Sequence, residues 1–180
     1  MDELVVSTDV YVPPDEVYEF LRDFEGYSRF TEYLKRVERI HGDGGVGSRY
    51  ALRFAWWKLT YTARSEVTEV DPPRRIDWRV TKDIDAHGFW RIDPFEELPA
   101  TAPEYADEGC RVTFEVRFDA ESADTSAVSL PRFVSFDRVL GMVRPKVQEE
   151  AERIVRRAVR ELEGRDRDVR LEVRSDGGLV

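Results

Sequence analysis

The chain has 180 residues, 41% hydrophobic and 12% aromatic, enough to bury one sizeable core but not two, so a single domain is expected and disorder is excluded as the default state. A net charge of −9 opposes binding to phosphate backbones, which rests on clustered cations, and one cysteine with two histidines excludes both a disulfide framework and a thiolate zinc site. No apolar run reaches the roughly 18 residues of a membrane-spanning helix, and the N-terminus MDELVVSTDV has no basic region leading into an apolar one, so a cytoplasmic protein without stable membrane insertion is expected.

The cations are almost all arginine, with Lys35, Lys58, Lys82 and Lys146 the only lysines. Acidic residues spread along the chain suit a salt-rich, halophilic cytoplasm, where self-repulsion is screened. An acidic protein from an arginine-rich proteome has the same composition.

Leu4 to Val12 reads as a strand ending at Pro13-Pro14, where missing amide donors stop pairing and the fixed φ suits a first helical turn. Val17, Phe20, Leu21 and Phe24 then form one helical stripe, with Asp15 and Glu16 at its positive end and Gly26 as the expected break. A second short helix is expected over Tyr27 to Tyr33, with Tyr27 and Phe30 inward. From Leu34 the period changes to two. Tyr50, Leu52, Phe54 and Trp56 alternate with polar or small residues, as do Ile76, Trp78 and Val80, and Cys110, Val112, Phe114, Val116 and Phe118. Turn signals at Gly42-Asp43-Gly44-Gly45 and Asp71-Pro72-Pro73, and a long loop from Glu96 to Glu108, separate these strands into antiparallel hairpins. Val37 to His41 is a further strand, although Val37 and Ile40 do not share a parity.

The last large element is a helix from Phe133 to Glu163, with Phe136, Leu140, Val143, Val147, Ala151, Ile154, Ala158 and Leu162 on one apolar stripe and Arg157 among those facing solvent. Pro145 is expected to kink it, eased by Gly141 at the crowded carbonyl. One sheet and one amphipathic helix imply that the helix crosses the dry face. Beyond Gly164 the chain turns polar; Val169, Leu171 and Val173 alternate, which suits either an edge strand or a loose tail. The expected division is a domain over residues 1–163 followed by a polar C-terminal tail over 164–180.

This order of elements resembles the START-like (SRPBCC, helix-grip) superfamily, which includes polyketide cyclases, the birch-pollen allergen group and the coenzyme Q-binding proteins. "YVPPDEVYEFLRDFEGYSRFTEYLKRVERI" looks like the family's opening, "GFWRIDP" like a later strand, and "CRVTFEVRFD" like the strand after it. "FEGYSRFTEYLKRVERI" is most similar to the coenzyme Q-binding group through Tyr27 and Phe30, but Glu32-Tyr33-Leu34 stand where that group has a proline and then a cysteine. The resemblance implies an α+β helix-grip fold, a curved antiparallel sheet wrapped around a long C-terminal helix. It also implies an internal cavity for a lipid, an isoprenoid quinone or a polycyclic aromatic.

On that frame the ligand-binding candidates are Tyr50, Leu52, Phe54, Trp56, Tyr61, Trp78, Trp90 and Phe114 from the strands, with Phe136, Leu140 and Val143 from the helix. Their bland alternative is simple core filling. Large rings whose N–H and O–H groups need partners favour a lined cavity. Arg53, Arg64, Arg79 and Arg91 fall at outward parities, Arg64 only if no bulge intervenes between Trp57 and Tyr61, and read as solvated cations over aromatic rings. Asp83, Asp85 and His87 read as a polar hairpin turn rather than an acid–base site, and Cys110 as a small buried hydrophobe. No catalytic residue, metal ligand set or cofactor motif stands out; no nucleophile elbow or phosphate loop occurs. A cyclase or dehydratase acting in the same cavity, and a protein-interaction module, are the alternatives to a carrier.

Overall fold

The computed structural model describes residues 1–132 and 136–176, except the side chains at 136, 137, 139–141 and 143–145. Among these residues eight strands form one antiparallel sheet: β1 (Asp2–Val10), β2 (Leu34–His41), β3 (Arg49–Trp56), β4 (Leu59–Asp71), β5 (Arg75–Val80), β6 (Asp85–Pro94), β7 (Cys110–Asp119) and β8 (Glu172–Asp176). Their order across the sheet is β2-β3-β4-β5-β6-β7-β1-β8, so every neighbour from β2 to β7 is a hairpin and β1 closes the far side. Two helices, α1 (Pro14–Arg22) and α2 (Phe136–Glu163), complete the helix-grip arrangement of a curved sheet and a C-terminal helix.

The first strand stops at Val10, two residues short of the expected Val12, because the Glu163 carboxylate accepts the Tyr11 amide at 3.0 Å in place of a strand partner. α1 begins at Pro14 and ends at Arg22, with Asp23 at φ −77°, ψ 67° as its break rather than Gly26. The expected second helix over Tyr27 to Tyr33 is instead a 3-10 segment over Phe24–Arg29, closed by the Phe30 amide on the Tyr27 carbonyl at 3.2 Å. Val37 and Ile40 lie on opposite faces as plain alternation requires, Val37 buried and Ile40 exposed, whereas the register shift between Leu34 and Arg36 resets parity so that Leu34 and Val37 are both buried.

One face of the sheet carries the core. Val10, Val37, Tyr50, Val67, Ile76, Ile92, Cys110 and Val112 cluster with Val17, Tyr18 and Leu21 of α1 and Val159 of α2. The C-terminal half of α2 is tied down by Thr31 Oγ1 to Glu150 Oε1 at 2.7 Å, Arg29 to Glu161 at 2.9 Å, and Arg157 Nη1 donating to the Phe30 carbonyl at 2.8 Å. Arg157 is exposed as expected, yet it also bridges two elements. Backbone helix runs unbroken through Pro145. Residues 133–135, expected in the helix, lie outside the described residues.

Past α2 the chain returns to the sheet. The Glu163 side chain, 2% exposed, pairs with Arg167 at 2.7 Å, and Arg167 donates to the Asp9 carbonyl at 2.9 Å. This clamp turns the chain alongside β1, where the alternation around Val173 becomes β8, with Val173 opposite Val6.

Candidate functional site: the open half of the concave face

Residues that point toward the helices divide into two groups. At the end covered by α1, the 3-10 segment and the last turns of α2, they are sealed: Val10, Val67, Ile76, Ile92 and Cys110 are each at most 2% exposed. Toward the other end the same strand rows present Leu4 and Val6 of β1, Phe114, Val116 and Phe118 of β7, Trp78 and Val80 of β5, Tyr61 and Ala63 of β4, and Leu52, Phe54 and Trp56 of β3. All of these are only partly buried. Register puts them on one face: Phe54 opposes Tyr61, Leu52 opposes Ala63, Trp90 opposes Phe114, and Phe114 opposes Val6.

Small residues run down the middle of this face, with Ala63 and Ser65 on β4 and Ala86 and Gly88 on β6. Gly88 is required by close approach: a Cβ there would lie 2.0 Å from the Glu115 carbonyl oxygen and 2.7 Å from Trp78 Cζ2. Its absence lets the Trp78 indole lie over the next strand. Trp78 stacks on Phe114 at 5.7 Å between centroids with planes 12° apart, Phe114 meets Trp90 at 4.6 Å, and Trp90 meets Tyr27 edge-on at 6.3 Å. The result is an aromatic shelf leading from the packed end into the open half.

The two tryptophans differ in their polar atoms. Tyr27 has its pKa raised well above 10 by burial and by the Asp23 carboxylate, opposed by a hydrogen bond from Trp90, and its hydroxyl donates to the Leu21 carbonyl. Trp90 therefore has a polar neighbour for its N–H. Trp78 Nε1 is buried with no hydrogen-bond partner, the one such side-chain atom among the described residues.

The rim of this half is built by hairpins and by the segment after β7. That segment crosses to β4, where Ser129 and Thr60 exchange backbone hydrogen bonds at 3.0 and 3.4 Å, and the Asp124 amide donates to the Asp83 carbonyl at 2.7 Å. At the β3–β4 tip Trp57 adopts φ 53° and stands 61% exposed, beneath the Lys58 ammonium at 5.6 Å. Tyr61 has its pKa raised by burial and secondly by Asp83.

Of the sequence candidates, Leu52, Phe54, Trp56, Tyr61, Trp78, Trp90 and Phe114 come together on this face. Tyr50 is placed differently, at the packed end, 4% exposed and edge-on to Phe24 at 4.9 Å. Phe136, Leu140 and Val143 lie on α2, but their side chains are outside the described residues. Arg53, Arg64, Arg79 and Arg91 are on the convex face, where Arg79 pairs with Glu66 at 2.8 Å and Arg91 with Asp93 at 2.8 Å. The β3/β4 ladder has no register shift between Trp57 and Tyr61, so Arg64 keeps its outward parity. His87 stands on strand β6 between Arg79 and Arg117 rather than in the expected turn, and is exposed. Cys110 is fully buried, its thiol pushed from 9.0 up to about 12, first by burial and then by Asp9.

Sequence reasoning missed Leu4 and Val6, because Leu4-Val5-Val6 has no alternation to give the face away. Gly88 was legible only as a glycine inside a strand, which signals close approach without saying of what. A separate cleft of about 240 Å³ between α1 and the β2–β3 loop, lined by Tyr18, Arg22, Phe24, Asp43 and Pro72, is smaller than the roughly 300–1,000 Å³ usual for organic ligands. Among the described residues no cluster of His, Cys, Asp or Glu suits a metal ion, and no helix is long and apolar enough to cross a membrane.

The family model described as polyketide cyclase / dehydrase and lipid transport matches residues 1–163. The structure is similar to that of the Zhui aromatase/cyclase from Streptomyces sp. R1128, with 22% identity over 91% of this chain and 94% of that one and a TM-score of 0.61. It is also similar to Ara h 8.0201, with 14% identity, 91% and 99% coverage and a TM-score of 0.58. A third neighbour is TTHA0849 from Thermus thermophilus, with 19% identity, 90% and 97% coverage and a TM-score of 0.55. None of the curated proteins matches the chain in sequence.

Proposed function

The chain belongs to the polyketide cyclase / dehydrase and lipid transport family, within the START-like superfamily, and from that premise we propose that it binds or transfers a hydrophobic small molecule held between the open half of the sheet and α2. The observation that carries this reading is the contrast on one continuous face, sealed at one end and left partly uncovered at the other by rows of aromatic and aliphatic side chains. Apolar area that the fold itself leaves uncovered contributes about 25 cal/mol per Å² when a ligand removes it from water. The ligand contacts are assigned to Leu52, Phe54, Trp56, Tyr61, Trp78, Trp90 and Phe114. The binding unit is residues 1–163, and its setting is the cytoplasm.

Turnover by acid–base chemistry, as a cyclase or dehydratase would require, needs a group that exchanges protons near neutral pH inside the cavity. Among the described residues Tyr61 is a titratable group in the middle of this face, and burial moves it away from neutrality, which favours binding over catalysis. Native mass spectrometry of freshly purified protein tests the reading. A co-purifying apolar molecule is expected, together with a melting temperature raised by quinones, fatty acids or aromatic polyketides. A protein that is consistently empty and whose melting ignores all three classes contradicts it.

A further inference from the structure

We propose that Trp78 selects the ligand by donating a hydrogen bond from its indole nitrogen to a neutral ring oxygen, so that the favoured class is flat aromatic ketones and quinones rather than plain hydrocarbons or carboxylates. The inference rests on the binding reading above and adds the chemistry recognised. Three observations converge on it. Trp78 Nε1 is buried and unpartnered, and a buried donor left unpaired is costly, so an arriving acceptor gains more here than at a solvated group. Trp78 is also held flat by Phe114, 5.7 Å away with planes 12° apart, and by the bare backbone at Gly88, so the donor has a fixed direction beside a surface suited to a planar ring. Finally, the described residues on this half of the sheet include no lysine or arginine facing the helix, so the sheet offers a carboxylate no cation in return for its desolvation.

The nitrogen is sealed, so the acceptor reaches it only as the ligand displaces what covers it. No bond is made or broken; Trp78 acts as a specificity-determining residue.

The test compares fluorene with 9-fluorenone, two tricycles of one shape that differ by a ring CH₂ against a ring C=O. Calorimetry is run on the wild type, Trp78→Phe and Trp57→Phe, the last an indole-to-phenyl control at the exposed hairpin tip. Trp78→Phe removes apolar contact from both ligands and the hydrogen bond from one, so it is expected to weaken 9-fluorenone about ten-fold or more beyond its effect on fluorene, and Trp57→Phe to change neither. A second measurement needs no variant at Trp78: in ¹⁵N-labelled wild type, the Trp78 indole N–H resonance moves downfield with 9-fluorenone and not with fluorene. If Trp78→Phe alters both affinities by the same factor, or the indole resonance responds alike to both, the hydrogen bond is overturned and apolar binding stands. If the wild type binds neither compound, the binding reading fails and this inference fails with it.

Discussion

The two ends of the concave face are built from the same strands and the same alternation, yet one is a core and the other a surface in waiting. Three elements close the packed end: α1, the 3-10 segment, and the last turns of α2 carrying Val155, Val159 and Leu162. The open end has bulkier side chains, Trp56, Trp78, Phe114 and Phe118, but small residues between them and a rim made of hairpin tips and irregular chain. Side-chain size therefore does not decide where a core forms. What decides it is whether a second apolar face is brought against the first, and polar bonds hold the C-terminal half of α2 in place over the packed end.

Removing the anchor of the packed end should have the largest effect. Arg167→Ala leaves the Glu163 carboxylate buried without its cation and is expected to cost about 3–5 kcal/mol in denaturant unfolding. Next comes one truncation made at both ends. Val10→Ala, at a 2% exposed site, is expected to cost about 2 kcal/mol, and Val116→Ala, on the partly exposed face, under about 1 kcal/mol. Equal costs would erase the distinction between the halves.

Cys110 reports the packed end through pH. Its folded thiol is raised from 9.0 to about 12, so the stability it contributes is complete below pH 9 and is lost as pH climbs from 9 toward 12, where the unfolded thiol ionises and the folded one does not. Cys110→Ala should flatten the alkaline decline by up to ~1.4 kcal/mol per pH unit in that window. Tyr27, also raised, steepens the decline above pH 10 in both proteins. At the surface, Arg157→Ala loses its bond to the Phe30 carbonyl and about 1 kcal/mol, no more than the cost of a truncation on the open face.

Much of this was legible in the sequence for one reason, alternation. Where a strand has one wet face, as at Tyr50 to Trp56 and Cys110 to Phe118, the period of two fixed both the strand and its inward residues. It failed where both faces are apolar, as at Leu4-Val5-Val6, and where bulges reset parity, as in β2. It also gave no means of dividing the inward residues between core and site, since Tyr50 and Phe54 read alike on one strand and differ only in what α1 and the 3-10 segment bring over them. The edge strand β8 depended on the clamp between Glu163 and Arg167, a pair at helical spacing whose second role toward Asp9 and Tyr11 is visible only in three dimensions.

The most direct measurement of the central claim is fluorescence of diphenylhexatriene, an apolar rod dark in water, titrated against the wild type and Ala63→Phe. Ala63 sits among the small residues of the open half, opposite Leu52 and outside the buried core cluster, so a phenyl ring there takes up ligand space without replacing a core residue. The account predicts saturable emission with the wild type, loss of most of it in Ala63→Phe, and melting within a few degrees of the parent. Undiminished emission from a folded Ala63→Phe protein would place the apolar site elsewhere and contradict it.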